Sequence, residues 1–109
     1  MANQMTELLK GTLEGIVLSL LAERPAYGYE ITARLREQGF TDIVEGTVYA
    51  VLVRIEQRGF VDVERVTSEK GPPRKVYSLN ARGRDQLDDF WTAWGFLAGR
   101  INQLHEGKE

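Results

Sequence analysis

EGTVYAVLVRIEQRGFVDVERVTSEKGPPRKVY, residues 45–77, decides the fold. Its first part predicts a short helix, Gly46–Arg58, that stops at Gly59. Val48, Val51, Leu52 and Ile55 recur at intervals of three and four, so they share one face. At about 100° per residue, Ala50, Val53, Arg54 and Gln57 fall on the opposite face, with Thr47 and Tyr49 at its edges. Gly59 suits the position after a helix, because it takes a positive φ without a Cβ clash. The second part predicts a β-hairpin. Val61, Val63, Val66, Val76, Tyr77 and Leu79 are mostly strand formers, and Gly71-Pro72-Pro73 breaks the run between them. Proline donates no ladder hydrogen bond, so both prolines are expected in the turn. That leaves Lys70, Arg74 and Lys75 at an exposed tip.

Taken separately, the helix is most simply a core element and the charged turn most simply a solvated loop. In direct succession they match a groove-sized helix followed by a basic wing, the pattern of a winged helix-turn-helix. The expected class is mainly α with a small β-hairpin. Small Thr47 and Ala50 permit close approach to bases, Val53 offers apolar contact, and Arg54 reaches a guanine edge or a phosphate. Tyr49, Lys70, Arg74 and Lys75 are candidates for phosphate contacts. Gly46 leaves N–H groups uncovered at a helix start, which favours anions, although Glu45 would repel a phosphate there.

These stretches, with others upstream and downstream, resemble the PadR family of transcriptional regulators. Tyr27-Gly28-Tyr29-Glu30-Ile31, Gly46-Thr47-Val48-Tyr49, Leu52–Gly59 (LVRIEQRG) and Gly71–Leu79 with Asn80-Ala81-Arg82-Gly83 carry the resemblance, in the family's order, over roughly residues 8–90. Val48 stands where the family often has Leu, Ala50 where it has Pro, Val76 where it has Tyr, and Asn80 where it has Thr. Each keeps the physical role: Ala is the better helix former and Asn still caps a helix. The resemblance implies dimerisation through the C-terminal helix. It also implies, as in short members, a response to aromatic or drug-like compounds.

The 109 residues, 42% hydrophobic, suit a modest core. There is no cysteine for disulfides or thiolate metal sites, which fits a reducing cytoplasm. One histidine, His105, excludes a multi-histidine zinc site. No phosphate loop, nucleophile–base set or metal-ligand cluster supports an enzyme, and no metal or cofactor is expected. The longest apolar stretch, Ile16–Ala22, is interrupted by Ser19 and too short to span a bilayer. Glu14 and Glu23 flank it without a basic region, so it does not read as a signal peptide. The net charge of −2 argues against nucleic acid until its distribution is considered. Residues 45–84 hold eight Arg or Lys against five Asp or Glu, and the rest holds six against eleven. The basic excess sits in the helix, the wing and the adjoining turn.

Elsewhere, residues 1–4 are expected to fray. From Thr6, the stripe Leu9, Leu13, Ile16, Val17, Leu20 and Leu21 predicts one helix ending before Pro25. Gly11 and Gly15 either mark a close helix contact or are tolerated in the core. Ala26-Tyr27-Gly28 reads as a turn, and Gly28–Gln38 as a helix with Ile31 and Leu35 inward, Arg34 at the edge and Arg36 outward. Tyr27 and Tyr29 read as packing residues, and Phe40, Ile43 and Val44 as a connector turned into the core. Helix, connector, helix is the helix-turn-helix order.

Asn80 caps a last helix running to about His105. Its seam is Leu87, Phe90, Trp94, Leu97, Ile101 and Leu104, flanked by Trp91 and Ala98, with steps alternating between three and four. One winged domain covers only part of such a face, and a twofold partner would cover the rest. These eight residues are the candidate dimer interface. Phe96 points to the other side, as a lone aromatic or a contact for another helix. Trp91 and Trp94 either pack the interface or stack a planar effector beside Gly95, Ala98 and Gly99. The polar tail, His105–Glu109, is expected to be disordered. Residues 1–79 thus read as a DNA-binding domain and residues 80–109 as a dimerisation helix and tail. The whole reads as a cytoplasmic homodimeric repressor on a palindromic operator, with double-stranded DNA and a small aromatic effector as partners and no membrane. The alternative is a winged-helix protein-docking module with little DNA affinity even at low salt.

Overall fold

The computed structural model of the protein describes residues 2–107, and the side chains of residues 4–107. Met1, Lys108 and Glu109 lie outside the described residues, and with them the ends of the two expected frayed termini. The order is α1 (Ala2–Leu9), α2 (Leu13–Glu23), β1 (Ala26–Tyr27), α3 (Gly28–Glu37), α4 (Glu45–Gln57), β2 (Val61–Ser68), β3 (Gly71–Leu79) and α5 (Ala81–Glu106). This is mainly α with a small antiparallel sheet, a winged helix-turn-helix.

The first helix departs from expectation. Residues 2–4 are already helical, and the chain breaks at Lys10–Thr12 instead of running unbroken to Pro25. Gly11 lowers local helix stability by about 1 kcal/mol relative to Ala. The turn tightens there: the Lys10 amide donates to the Glu7 carbonyl at 3.3 Å and the Thr12 amide to Leu9 at 3.1 Å. At the other end, His105 and Glu106 remain in α5 rather than in a disordered tail.

The sheet has the order β1-β3-β2. Ala26 and Tyr27, expected in a turn, form a strand paired with Tyr77 and Val76. Pro72 and Pro73 were expected in the hairpin turn, which is instead Glu69–Lys70. Val66 pairs with Arg74 and Ser68 with Gly71, so the two prolines oppose Thr67 alone in a bulge. Their missing donors are tolerated there, because β1 reaches only Val76 and Tyr77 and leaves this end of β3 open on that side.

Leu18, Ile31, Leu35, Leu52, Ile55, Val17 and Val48 are the most deeply buried side chains. The apolar stripe of α4 therefore faces α2 and α3, and its polar stripe faces outward. Gly59, at φ +80°, closes α4 as expected. In the connector Ile43 is buried, but Val44 is 59% exposed because it precedes α4 at the rim. Arg34 is buried, not at the edge. Its Nη2 donates to the Leu20 carbonyl at 2.9 Å and to Glu23, closing the C-terminal end of α2. Arg36 donates to the Ile43 carbonyl at 3.1 Å.

Asn80 begins α5 by accepting from the Gly83 amide at 2.9 Å. Leu87, expected between subunits, is buried in the chain's own core. Phe90 is half-buried over Gly15, where a Cβ would overlap its ring. Gly15 thus does mark a close helix approach, whereas Gly11 has open space beside it. Past Phe90 the helix continues for about 24 Å, with most of its side chains in solvent, which stretches the molecule to 62 × 32 × 20 Å.

Candidate nucleic-acid interface

The outer face of α4 is open. Gly46, Thr47, Ala50, Val53 and Gln57 are all exposed. Val44 supplies no side-chain cap, and a Cβ at Gly46 would meet nothing within 4 Å. The helix start is accessible to an anion, with exposed Glu45 beside it.

Beside this face, towards the wing, lies a trench of about 740 Å³ lined by Tyr29, Tyr49, Val53, Arg74, Lys75 and Tyr77, among others. Tyr49 packs over Gly28, where a Cβ would lie 2.6 Å from its ring. That glycine lets the edge of α4 meet the start of α3. The Arg74 guanidinium lies 5.3 Å from the Tyr29 ring centroid, and Tyr29 stacks on Tyr27 at 5.6 Å. Tyr29, expected to be a packing residue, is 46% exposed and forms a trench wall. Lys75 Nζ is 3.5 Å from Glu56 of α4. Of the three wing cations only Lys70 is in the turn. Arg74 and Lys75 sit further along β3, close to the α4 face. Burial first, then the Glu56 carboxylate and Tyr49, hold the Tyr77 phenol above its ordinary pKa.

The edge of α4 away from the wing carries Arg54 and Arg58. Arg54 Nε is 3.2 Å from Glu14 Oε1, and Arg58 Nη1 is 2.9 Å from Glu14 Oε2. Arg54, expected to reach a guanine edge or a phosphate, is engaged by Glu14 of α2 and is half-exposed. Sequence reasoning left out Glu14, Arg58 and Tyr29. Arg58 was recoverable, because it lies four residues after Arg54 on the same edge. Glu14, forty residues from Arg54, gave no local signal.

The projecting face of α5 is apolar and uncovered. Trp91, Trp94, Leu97, Ile101 and Leu104 are 43–69% exposed and Ala98 is half-buried. Phe90 and Trp91 meet edge-on at 5.1 Å, and Gly95 and Gly99 border open space. Phe96 lies under Arg100, 5.4 Å from ring to guanidinium. Among the described residues no group of three or more His, Asp or Glu could hold a metal ion, and no helix is long and apolar enough to cross a membrane. The surfaces offer cations, donors and a small apolar face to a polyanion.

The model of the PadR-like family of transcriptional regulators matches residues 17–89. A Streptococcus transcriptional regulator of solved structure is 38% identical, with 90% of this chain and 96% of that one covered and a TM-score of 0.79. A PadR-like transcriptional regulator from Bacillus cereus is 34% identical, with 94% and 99% covered and a TM-score of 0.81. A PadR family transcriptional regulator from Eggerthella lenta is 31% identical, with 97% and 92% covered and a TM-score of 0.88.

Proposed function

The chain belongs to the PadR-like family of DNA-binding transcriptional regulators, and on that footing we propose that it is a cytoplasmic homodimeric repressor of a palindromic operator, released by a planar aromatic effector. Residues 1–79 are the reading head, and residues 80–109 the dimerisation segment. The observation that carries this is the open outer face of α4, small at its centre and flanked by cations on both edges. Thr47, Ala50, Val53 and Arg54 contact bases. The start of α4 at Gly46, together with Tyr49, Lys70, Arg74 and Lys75, contacts phosphates.

Replacing Lys70 and Arg74 by Ala lowers affinity for every duplex and reduces the slope of log K against log salt by about 0.9 for each phosphate no longer neutralised. Ala50→Leu instead changes preference among sequences by about 1–3 kcal/mol. Anisotropy titrations at several salt concentrations separate the two. An unchanged slope removes the wing from the interface. Little binding of any duplex at low salt favours a protein-docking role.

Trp91 and Trp94, with Gly95 and Gly99 leaving room beside them, suit a flat ligand between subunits. Ligand held there would alter the spacing of the two α4 helices and release DNA. A compound from a planar aromatic panel is expected to quench tryptophan fluorescence and release bound DNA. Trp94→Ala abolishes both effects. Quenching without release refutes an effector role.

A further inference from the structure

We propose that Glu14 sets the specificity of DNA reading: it is a resident carboxylate that withholds Arg54 and Arg58 from phosphates on arbitrary DNA. The proposal rests on the operator-reading role of α4. Glu14 receives Arg54 Nε at 3.2 Å and Arg58 Nη1 at 2.9 and 3.1 Å. Its side chain is only 17% exposed, whereas each arginine is 49% exposed. Both arginines therefore lie within reach of DNA, while the carboxylate is shielded behind them.

The α2 backbone holds Glu14 beside the two arginines. The next residue, Gly15, lies against the Phe90 ring, where even a Cβ would not fit, and this fixes the α2 backbone. Arg58 is held from a second side, 4.8 Å from the centroid of the Phe60 ring. Lys10, Gln86 and Phe90 complete the groove around the cluster.

A guanidinium that leaves a carboxylate for a single phosphate exchanges one ionic hydrogen bond for a similar one and gains little. One that leaves for the paired O6 and N7 acceptors of guanine gains a bidentate match available only at the right sequence. The carboxylate also repels any phosphate brought to that edge. Glu14 therefore weakens binding to arbitrary DNA more than binding to the preferred site, and specificity is the difference between the two.

The test uses the full chain, a duplex selected from a random pool by the wild-type protein, and a shuffled duplex of the same composition. Glu14→Gln is expected to tighten binding to the shuffled duplex about 5–10-fold, with a steeper salt dependence, and to the selected duplex by less than about 3-fold. With Arg54 and Arg58 both replaced by Gln, Glu14→Gln tightens the two duplexes alike, because only the repulsion by the carboxylate is then removed. The Arg54→Gln, Arg58→Gln pair with Glu14 intact lowers affinity for the selected duplex more than for the shuffled one, a readout that needs no change at Glu14. With both arginines intact, equal tightening on both duplexes by Glu14→Gln, or weaker binding to both, overturns the proposal. A wild-type chain that does not discriminate between the duplexes overturns the operator-reading role itself.

Discussion

In the proposed homodimer, replacing Leu97 and Ile101 together by Asp is expected to leave a folded monomer whose affinity for a two-half-site duplex falls by about 10²–10⁴-fold. Both residues lie past the point where α5 leaves the core, and each is about half-exposed, 49% and 50%. The head folds on α2, α3 and α4, with Leu87 as the anchor of α5, so neither change disturbs it. Two carboxylates per helix placed in an apolar seam must be desolvated for the subunits to meet, and they repel their symmetry mates. A lone head keeps its own contacts and loses the linkage to the second half-site. Light scattering reads the mass, circular dichroism the fold, and anisotropy the affinity. A variant that stays dimeric moves the interface elsewhere, with α1 and its exposed Met5 and Leu8 the first place to look.

Gly83→Ala unfolds the protein at markedly lower denaturant, with a loss of about 2–3 kcal/mol. The first turn of α5 rests on the end of the β2–β3 hairpin. A Cβ at Gly83 would lie 2.1 Å from the Phe60 carbonyl oxygen and 2.5 Å from Leu79 Cδ1. The leucine could adjust, but the carbonyl cannot move cheaply. It accepts the Asn80 amide at 3.2 Å, and Asn80 also donates to the Gly59 carbonyl at 3.1 Å. One methyl group therefore pries α5 from the sheet. Asn80→Ala removes the cap without adding bulk, and a smaller loss of about 1 kcal/mol is expected. Urea midpoints rank the two variants. If Asn80→Ala proves the more damaging, the close approach at Gly83 is not what holds α5 in place.

Legibility in the sequence followed the range of the interactions. The α4 stripe, its stop at Gly59, the hairpin and the span of α5 could all be read, because spacing, glycine and the Asn80 cap act within a few residues. Features set by distant partners could not. Ala26–Tyr27 is a strand only because Val76 and Tyr77 lie beside it. Pro72 and Pro73 enter β3 because the partner strand has one residue fewer at the bulge. The apolar stripe ran across Gly11 as though α1 and α2 were one helix. Arg34 is buried because it meets the end of α2, and Leu87 because α5 packs against α2. Tyr49 and Val53 of α4 line one trench with Arg74 and Lys75 of β3. The pairing of Arg54 with Glu14, and Tyr29 on the trench wall, emerged only from the packing of α2, α3 and β3 around α4.

The most direct test of sequence reading by α4 is anisotropy of the wild-type protein on its selected duplex and on a shuffled one, at low and physiological salt. An operator-reading dimer binds the selected duplex about 10³-fold or more tightly than the shuffled one at physiological salt, and loses affinity for both as salt rises. Strong but equal binding to the two duplexes contradicts the account, and the base-reading roles of Thr47, Ala50, Val53 and Arg54 fall with it.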